Sequence, residues 1–392
     1  MSDQRHPILE AAERALRLPE GPASRWHRAG VTPGVERIFE VFSGLVILLF
    51  AAGWSWSIAT TRAGVAAGGA LASSARVTPV TAAVTAALTS VRAPSTAYLT
   101  QAVLELFVPM RGLSGKLRAN IGAGGAELSH DSLPAGTHLQ YSTPDGVNSA
   151  DSPVAPSEPG VWELAVAVGS VVRPVADFSV ITTRPFDNKR RGRIGLYYLG
   201  TWPAERRRLT RPGYANPSGF VEVTRTNQDT PVSEHFRLRD FLTKGQVDVW
   251  PKYLVLDMAL IDKLELVLID LRSRGHDVSG VRVMSGFRTP QYNSRGGDPS
   301  GRASLSRHMY GDAADIYFDR DSAGRWDDLD GNGRVNLKDM RVVLEAVDRV
   351  EREHPALVGG AGIYPGTSSH GPFIHMDTRG YRARWRGSGD GG

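Results

Sequence analysis

The sequence predicts an α+β fold over 236–386, a small central antiparallel sheet with flanking helices. A β-sandwich-like module precedes it, and a transmembrane helix stands near the N-terminus. Three observations predict this arrangement. Val41–Thr61 is an apolar run without a charged residue. Between 96 and 185, short alternating apolar segments are broken by Pro, Gly and Asp. After Phe236, leucines at helical spacing give way to separated strand-like runs. A chain of 392 residues exceeds one typical domain. Its 41% hydrophobic and 22% charged content is ordinary for folded protein. Cysteine is absent, which excludes disulfides, thiolate metal sites and a cysteine nucleophile. Any bound metal must then be held by histidines and oxygen ligands, carboxylates above all. The net charge of +5 is modest for this length.

Residues 1–40 are polar and read as a cytoplasmic segment. About twenty apolar residues cross a bilayer as a helix, and 41–61 meets that length. Trp54 and Trp56 suit the interfacial aromatic belt. Arg5, Arg14, Arg17, Arg25, Arg28 and Arg37 precede the run, whereas Arg62 stands alone just beyond it. That bias puts the N-terminus inside and the rest outside. A cleaved signal peptide is the competing reading, but the polar region is long for one and the run exceeds the usual apolar core of a signal. Residues 62–95, rich in Ala and Thr, read as a linker. In 96–185, segments such as THLQYSTPDGV, PGVWELAVAV and VADFSVITT suit a small antiparallel sandwich. Residues 186–235 form a basic connector with Lys189, Arg190, Arg191, Arg193, Arg206, Arg207, Arg208 and Arg211. It suits contact with anionic glycans or lipid head groups, or a solvated link. Nucleic acid is not an expected partner for a segment outside the cell. The tail 387–392, GSGDGG, is expected to be disordered.

In 236–386, Leu256, Leu260, Leu264, Leu268 and Leu271 recur at helical spacing and stop at Gly275, a suitable C-terminal cap. VRVMSGF, AADIYFD and PFIHMD read as strands. Zinc in a catalytic site takes three protein ligands and keeps a position for water. SRHMYGDAAD offers His308 on a loop and Asp315 on the strand that follows, with Gly311 allowing the turn between them. His375 supplies a third donor from a separate strand. Side chains alternate along a strand, so Phe373, His375 and Asp377 share one face. Asp377, roughly 7 Å along from His375, could orient a ligand, position water or act as base. His235, His276 and His354 read as structural.

These motifs, with SGFRTPQYN and HFRLRDFL upstream, resemble the zinc D-alanyl-D-alanine peptidase (LAS-type) superfamily, in particular its murein LD-endopeptidase-like branch. The resemblance covers about Phe236–Trp385. It implies that His308, Asp315 and His375 hold catalytic zinc, and that Arg288 stabilises an oxyanion or a substrate carboxylate. A guanidinium suits either task. Ser306 is placed to hydrogen-bond substrate or to cap its loop. Many relatives carry a proton acceptor two or three residues before the last ligand, where this chain has Phe373 and Pro372. Asp377 and then His370 are the candidate bases. The expected activity is hydrolysis of amide bonds in peptidoglycan stem peptides or crosslinks, with DD- and LD-specificity both open. The expected place is the outer side of a bacterial plasma membrane, with the β-rich module as spacer or wall-binding unit. The alternative is a degenerate peptidase domain serving as a wall-binding scaffold.

DLDGNGRVNLKD, 328–339, has the spacing of an EF-hand-like calcium loop. Asp328, Asp330, Asn332, the Arg334 carbonyl, Asn336 and Asp339 take the ligand positions, with Gly333 at position 6 and Val335 in the apolar slot. The next residues, MRVVLEAVDRVERE, read as the helix such a loop needs. Asp in place of Glu at position 12 resembles dockerin-type loops. An acidic surface turn is the competing reading.

Overall fold

The computed structural model describes residues 108–126, 136–143, 154–168, 171–206, 213–297, 302–322, 324 and 326–387. The expected cytoplasmic segment, membrane anchor and linker lie outside these residues. So do Arg207, Arg208, Arg211 and 388–392. No helix among the described residues is long and apolar enough to cross a membrane.

The β-rich stretch contributes β1 (Ala119–Gly122), β2 (Thr137–Ser142), β3 (Gly160–Val168) and β4 (Val171–Thr182). They form one four-stranded sheet in the order β1-β4-β3-β2. The sequence predicts a sandwich-like module with antiparallel pairing. Among the described residues there is a single sheet here, and β1 joins β4 in parallel. Alternation alone records which strands have a buried face and cannot show whether a second sheet or another element covers it. Part of this sheet shares the main core: Leu117, Ala119, Val161 and Ile181 belong to the same apolar cluster as the leucines of the first long helix.

The described residues of 186–235 contribute to that cluster as well. Short strand β5 (Arg184–Pro185) leads into this stretch, β6 (Arg193–Ile194), β7 (Tyr197–Tyr198) and β8 (Gly219–Val223) lie within it, and β8 pairs with β9 (Lys252–Leu254). Tyr197, Leu199, Trp202 and Phe220 are buried. Lys189 is buried too: its ammonium donates to the Gly200 carbonyl and the Glu205 carboxylate, beneath the Phe186 and Trp202 rings. Arg190, Arg191 and Arg193 remain exposed.

The leucine pattern forms α1 (Met258–Ser273), opened by Asp257, whose side chain accepts from the Ala259 amide. Gly275 beyond its end is left-handed at φ 88°. The His276 amide bonds the Leu271 carbonyl, closing the helix as such a glycine allows. α1 is buried on more than its leucine stripe. Asp262, Lys263 and Glu265 are buried as well. Asp262 accepts from the Leu113 and Ser114 amides, and Glu265 pairs with His235. Each buried charge has a partner, without which its desolvation would not be offset.

The five-stranded sheet that follows comprises β10 (Val281–Ser285), β11 (Ala313–Phe318), β12 (Gly360–Tyr364), β13 (Phe373–Asp377) and β14 (Ala383–Arg386). Its order is β10-β11-β13-β12-β14. The three inner pairings are antiparallel, as predicted, and edge strand β14 joins β12 in parallel. Two further helices are α2 (Pro290–Arg295) and α3 (Leu337–Glu353). On one face, Ala314, Ile316, Phe318, Ile363, Ile374 and Met376 are buried in the core with α1 and α3. A sheet covered by helices on one face leaves the other for chemistry. Alternation puts Asp315, His375 and Asp377 on that other face.

Candidate metal centre

His308 stands in a 3-10 turn, Arg307–Tyr310, that ends at Gly311 in the left-handed region at φ 74°. A Cβ at Gly311 would lie 2.3 Å from the Val255 carbonyl oxygen, so the turn needs glycine for space as well as for conformation. Two buried contacts brace it. Arg307 pairs with Asp312, and the Trp202 indole N–H donates to the Met309 carbonyl at 2.9 Å. Asp315 and His375 are direct register partners on β11 and β13. Ser285 faces Asp315 from β10, just after a bulge. Such irregularities re-aim side chains beside sites.

The three expected ligands meet. His308 Nε2 lies 3.1 Å from His375 Nδ1 and 3.2 Å from Asp315 Oδ1, and the last two atoms are 2.9 Å apart. All three residues are buried. Tetrahedral zinc with bonds near 2.0–2.1 Å separates its donors by about 3.3 Å. The donor triangle therefore has the right size.

The outer partners decide which nitrogen each ring turns inward. His308 Nδ1 lies 2.7 Å from the Gly286 carbonyl, which can only accept, so this nitrogen carries hydrogen. His375 Nε2 donates to Asp377 Oδ2 at 3.0 Å. Neutral rings thus aim both lone pairs at the Asp315 oxygen and at each other. Such a cluster calls for positive charge at its centre, a proton in the metal-free protein or a metal ion. Burial pushes the His308 ring below its ordinary pKa, with Arg288 adding to the effect and Asp315 opposing it. Burial acts likewise on His375, but hydrogen bonds to Asp315 and Asp377 outweigh it and raise that ring. Burial pushes the Asp315 carboxyl up, yet His308 and Arg288 hold it well below the carboxylate range.

Asp377 stands behind His375, on the ring nitrogen opposite the donor atom. It also accepts from the Gly360 amide at 2.7 Å and pairs with the Arg379 guanidinium. Burial pushes its carboxyl up, but His375 and Arg379 more than offset that and hold it far below the ordinary value. A buried, saturated anion with a depressed pKa suits the orienting role among the three the sequence allowed, and makes a poor base. Replacing Asp377 with Asn should weaken zinc binding about 10- to 100-fold in chelator competition. Unchanged affinity would show that Asp377 does not hold the His375 ring.

Arg288 sits beside the trio. Its Nη2 pairs with Asp315 Oδ2, the oxygen not facing the histidines, and its Nε donates to Ser285 Oγ at 2.8 Å. Ser306 takes the cap position of the His308 turn, where its side chain makes no capping bond, and is buried. His370 lies in the loop before β13, edge-on to Phe373 with ring centres 5.2 Å apart. It lines a cleft of about 730 Å3 with Trp326, Val335 and Gly371.

Sequence reasoning missed the layer that holds Asp377. Fully buried Lys263 on α1 donates to the Asp377 backbone carbonyl and to Glu351 on α3, both at 2.7 Å. Arg384 on β14 donates to the other Glu351 oxygen at 2.6 Å. The available signal was weak: Lys263 stands with Asp262 and Glu265 among the leucines of a helix, and such charges usually mark the solvated face.

A second acidic group gathers Asp328, Asp330 and Asp339. Asp328 accepts from the Asn332 and Gly333 amides, and Asp339 from Leu329, Asp330 and Asn336. Asn336 and Asp339 form the capping box that opens α3. Each trio could hold a metal ion. Comparison with protein-family models, curated proteins and solved structures finds no match to this chain.

Proposed function

We propose that this chain is a zinc peptidase that hydrolyses amide bonds in peptidoglycan stem peptides or crosslinks, held outside the plasma membrane by an N-terminal helix. The observation that carries it is the donor triangle of His308, Asp315 and His375, with both imidazoles fixed from behind. Two nitrogens and one carboxylate oxygen, with no thiolate, suit a catalytic zinc with an open position. Zinc bound there would supply Lewis acidity and an acidified water for amide hydrolysis. The protein's own groups do the rest. Gly286 and Asp377 fix the ring orientations, and Arg288 both steadies Asp315 and brings positive charge to where an amide oxygen turns negative. With Asp377 turned to the back of His375, His370 is the candidate proton carrier of the two.

The test is digestion of purified sacculi by zinc-loaded full-length protein, with and without chelator, read by mass spectrometry of the muropeptides. New chelator-sensitive cleavage products are expected. Profiles identical to the untreated sacculi would refute the peptidase reading. A wall-binding protein with a degenerate peptidase domain is the second reading. It is favoured by one observation, that no other Asp, Glu or His joins the three donors among the described residues. Stoichiometric zinc and sacculus binding without turnover would select it.

We assign calcium to the second trio, as a brace rather than a reactant, because the oxygen-rich loop spacing and the capped helix suit that ion. Calcium a hundredfold above its Kd should raise the melting temperature by about 5 °C. Asp328→Ala with Asp330→Ala should abolish the shift. An unshifted melt in the parent protein would return the loop to an acidic surface turn.

A further inference from the structure

Beside the Arg288 charge, the oxygen of an amide under attack is served by a neutral hydrogen-bond donor, and β12 carries one. Tyr364 lies opposite Phe373, two pairs along from Gly362 opposite His375 and so on the same face. Its ring stacks on Phe373, with centres 4.5 Å apart and planes within 3°. Its hydroxyl does not stay in that row. It accepts a 2.8 Å hydrogen bond from the Trp385 indole N–H. Trp385 is the β14 partner of Gly362 and packs against the His375 ring at 5.2 Å. The phenol oxygen is therefore drawn back along the strand toward the row that holds His375.

Gly362 makes this possible, since a Cβ there would lie 2.2 Å from the Trp385 ring. The hydroxyl also lies in the fields of Asp315 and Arg288, and burial, the largest influence, keeps the phenol protonated by raising its pKa. An indole N–H can only donate, so Trp385 occupies an acceptor position of the phenol and leaves its O–H free to point at a ligand.

We propose that Tyr364 is a catalytic residue, whose hydroxyl donates a hydrogen bond to the substrate carbonyl oxygen as it becomes an oxyanion, opposite the Arg288 charge. This rests on the peptidase reading and deepens it. Tyr364 transfers no proton: it stays a phenol, and the bond strengthens as charge develops. Two neighbours give it precision. Phe373 fixes the ring plane, and Trp385 fixes the rotation of the hydroxyl.

The test compares full-length Tyr364→Phe with the parent. Loss of one oxyanion donor costs about 10²-fold or more in kcat. Tyr364→Phe should therefore lower kcat on muropeptides about 100-fold with KM nearly unchanged, while zinc content and melting temperature stay at parental values. It should weaken a phosphinate dipeptide isostere, whose tetrahedral oxyanion mimics the intermediate, by at least about tenfold. Parental kcat and parental phosphinate affinity in Tyr364→Phe would overturn the proposal. So would a loss of kcat that tracks a loss of zinc, which would make Tyr364 a packing residue. Phosphinate binding is read without turnover. A parent that binds the isostere through Tyr364 yet leaves sacculi intact refutes wall hydrolysis alone. A parent that cleaves sacculi with Tyr364 dispensable refutes this inference alone, and a parent that does neither refutes both.

Discussion

Replacing His308 with alanine should abolish stoichiometric zinc and lower kcat/KM on crosslinked muropeptides by about 10⁴-fold. The size of the effect follows from the geometry. His308 supplies one of three donors, and with two left the site cannot keep a tightly held ion at ordinary free zinc levels. The turn that carries His308 is held by Gly311, Arg307 and Trp202 whether or not the imidazole is present. The variant should therefore fold, and its circular dichroism should match the parent. Zinc analysis and a melting curve on one preparation separate the outcomes. A folded His308→Ala protein with one zinc per chain would disprove the ligand assignment, whatever its activity.

The largest effect on stability is expected at Lys263, whose side chain is fully buried. Removing one partner of a buried ion pair typically costs about 3–5 kcal/mol, because the other charge is left in a low-dielectric interior. In Lys263→Met, Glu351 keeps Arg384 but loses its 2.7 Å partner, and the Asp377 carbonyl loses a donor. A destabilisation of about 3 kcal/mol is expected in the denaturant midpoint. The double replacement of Lys263 and Glu351 by methionine should cost less than the two single changes added together. A single-variant loss below about 1 kcal/mol, or strict additivity, would show that the pair does not carry this load. Zinc affinity should fall with the single variant too, since Lys263 holds the backbone of the residue that orients His375. That link makes the helix layer part of the site, although no residue of α1 is among the three donors.

Much of the site could be read from local pattern. Both histidine-bearing segments and Asp315 stand in short motifs whose residue types have few other uses, and strand alternation put His375 and Asp377 on one face. The EF-hand-like spacing of 328–339 and the helix behind it were legible for the same reason, since a loop of fixed length carries its chemistry in one stretch. Asp377 shows where the reading ran out. Its face followed from alternation, but the choice among ligand partner, water holder and base depended on Arg379, Gly360 and Lys263, which approach from three directions. Residues 186–235 show the same limit in the fold. Their arginines suggested a solvated link, yet Tyr197, Trp202 and Phe220 are buried and Lys189 goes inside with them. Charge count says how a segment meets water on average and nothing of which side chains it turns inward.

The sequence by itself determined which three residues could donate to a metal, the strands and helix that carry the core of 236–386, and the acidic loop. These depend on residue type and spacing within a few positions, where backbone geometry is nearly universal. Only the tertiary structure decided that the three side chains close to a triangle 2.9–3.2 Å on a side, that Asp377 stands behind His375, and that the Tyr364 hydroxyl meets the Trp385 indole packed on His375. It also decided that the described β-rich strands make one sheet, part of whose buried face joins the main core. Each of those facts is set by strand order and by packing between segments far apart in the chain, and strand order is invisible to any local pattern.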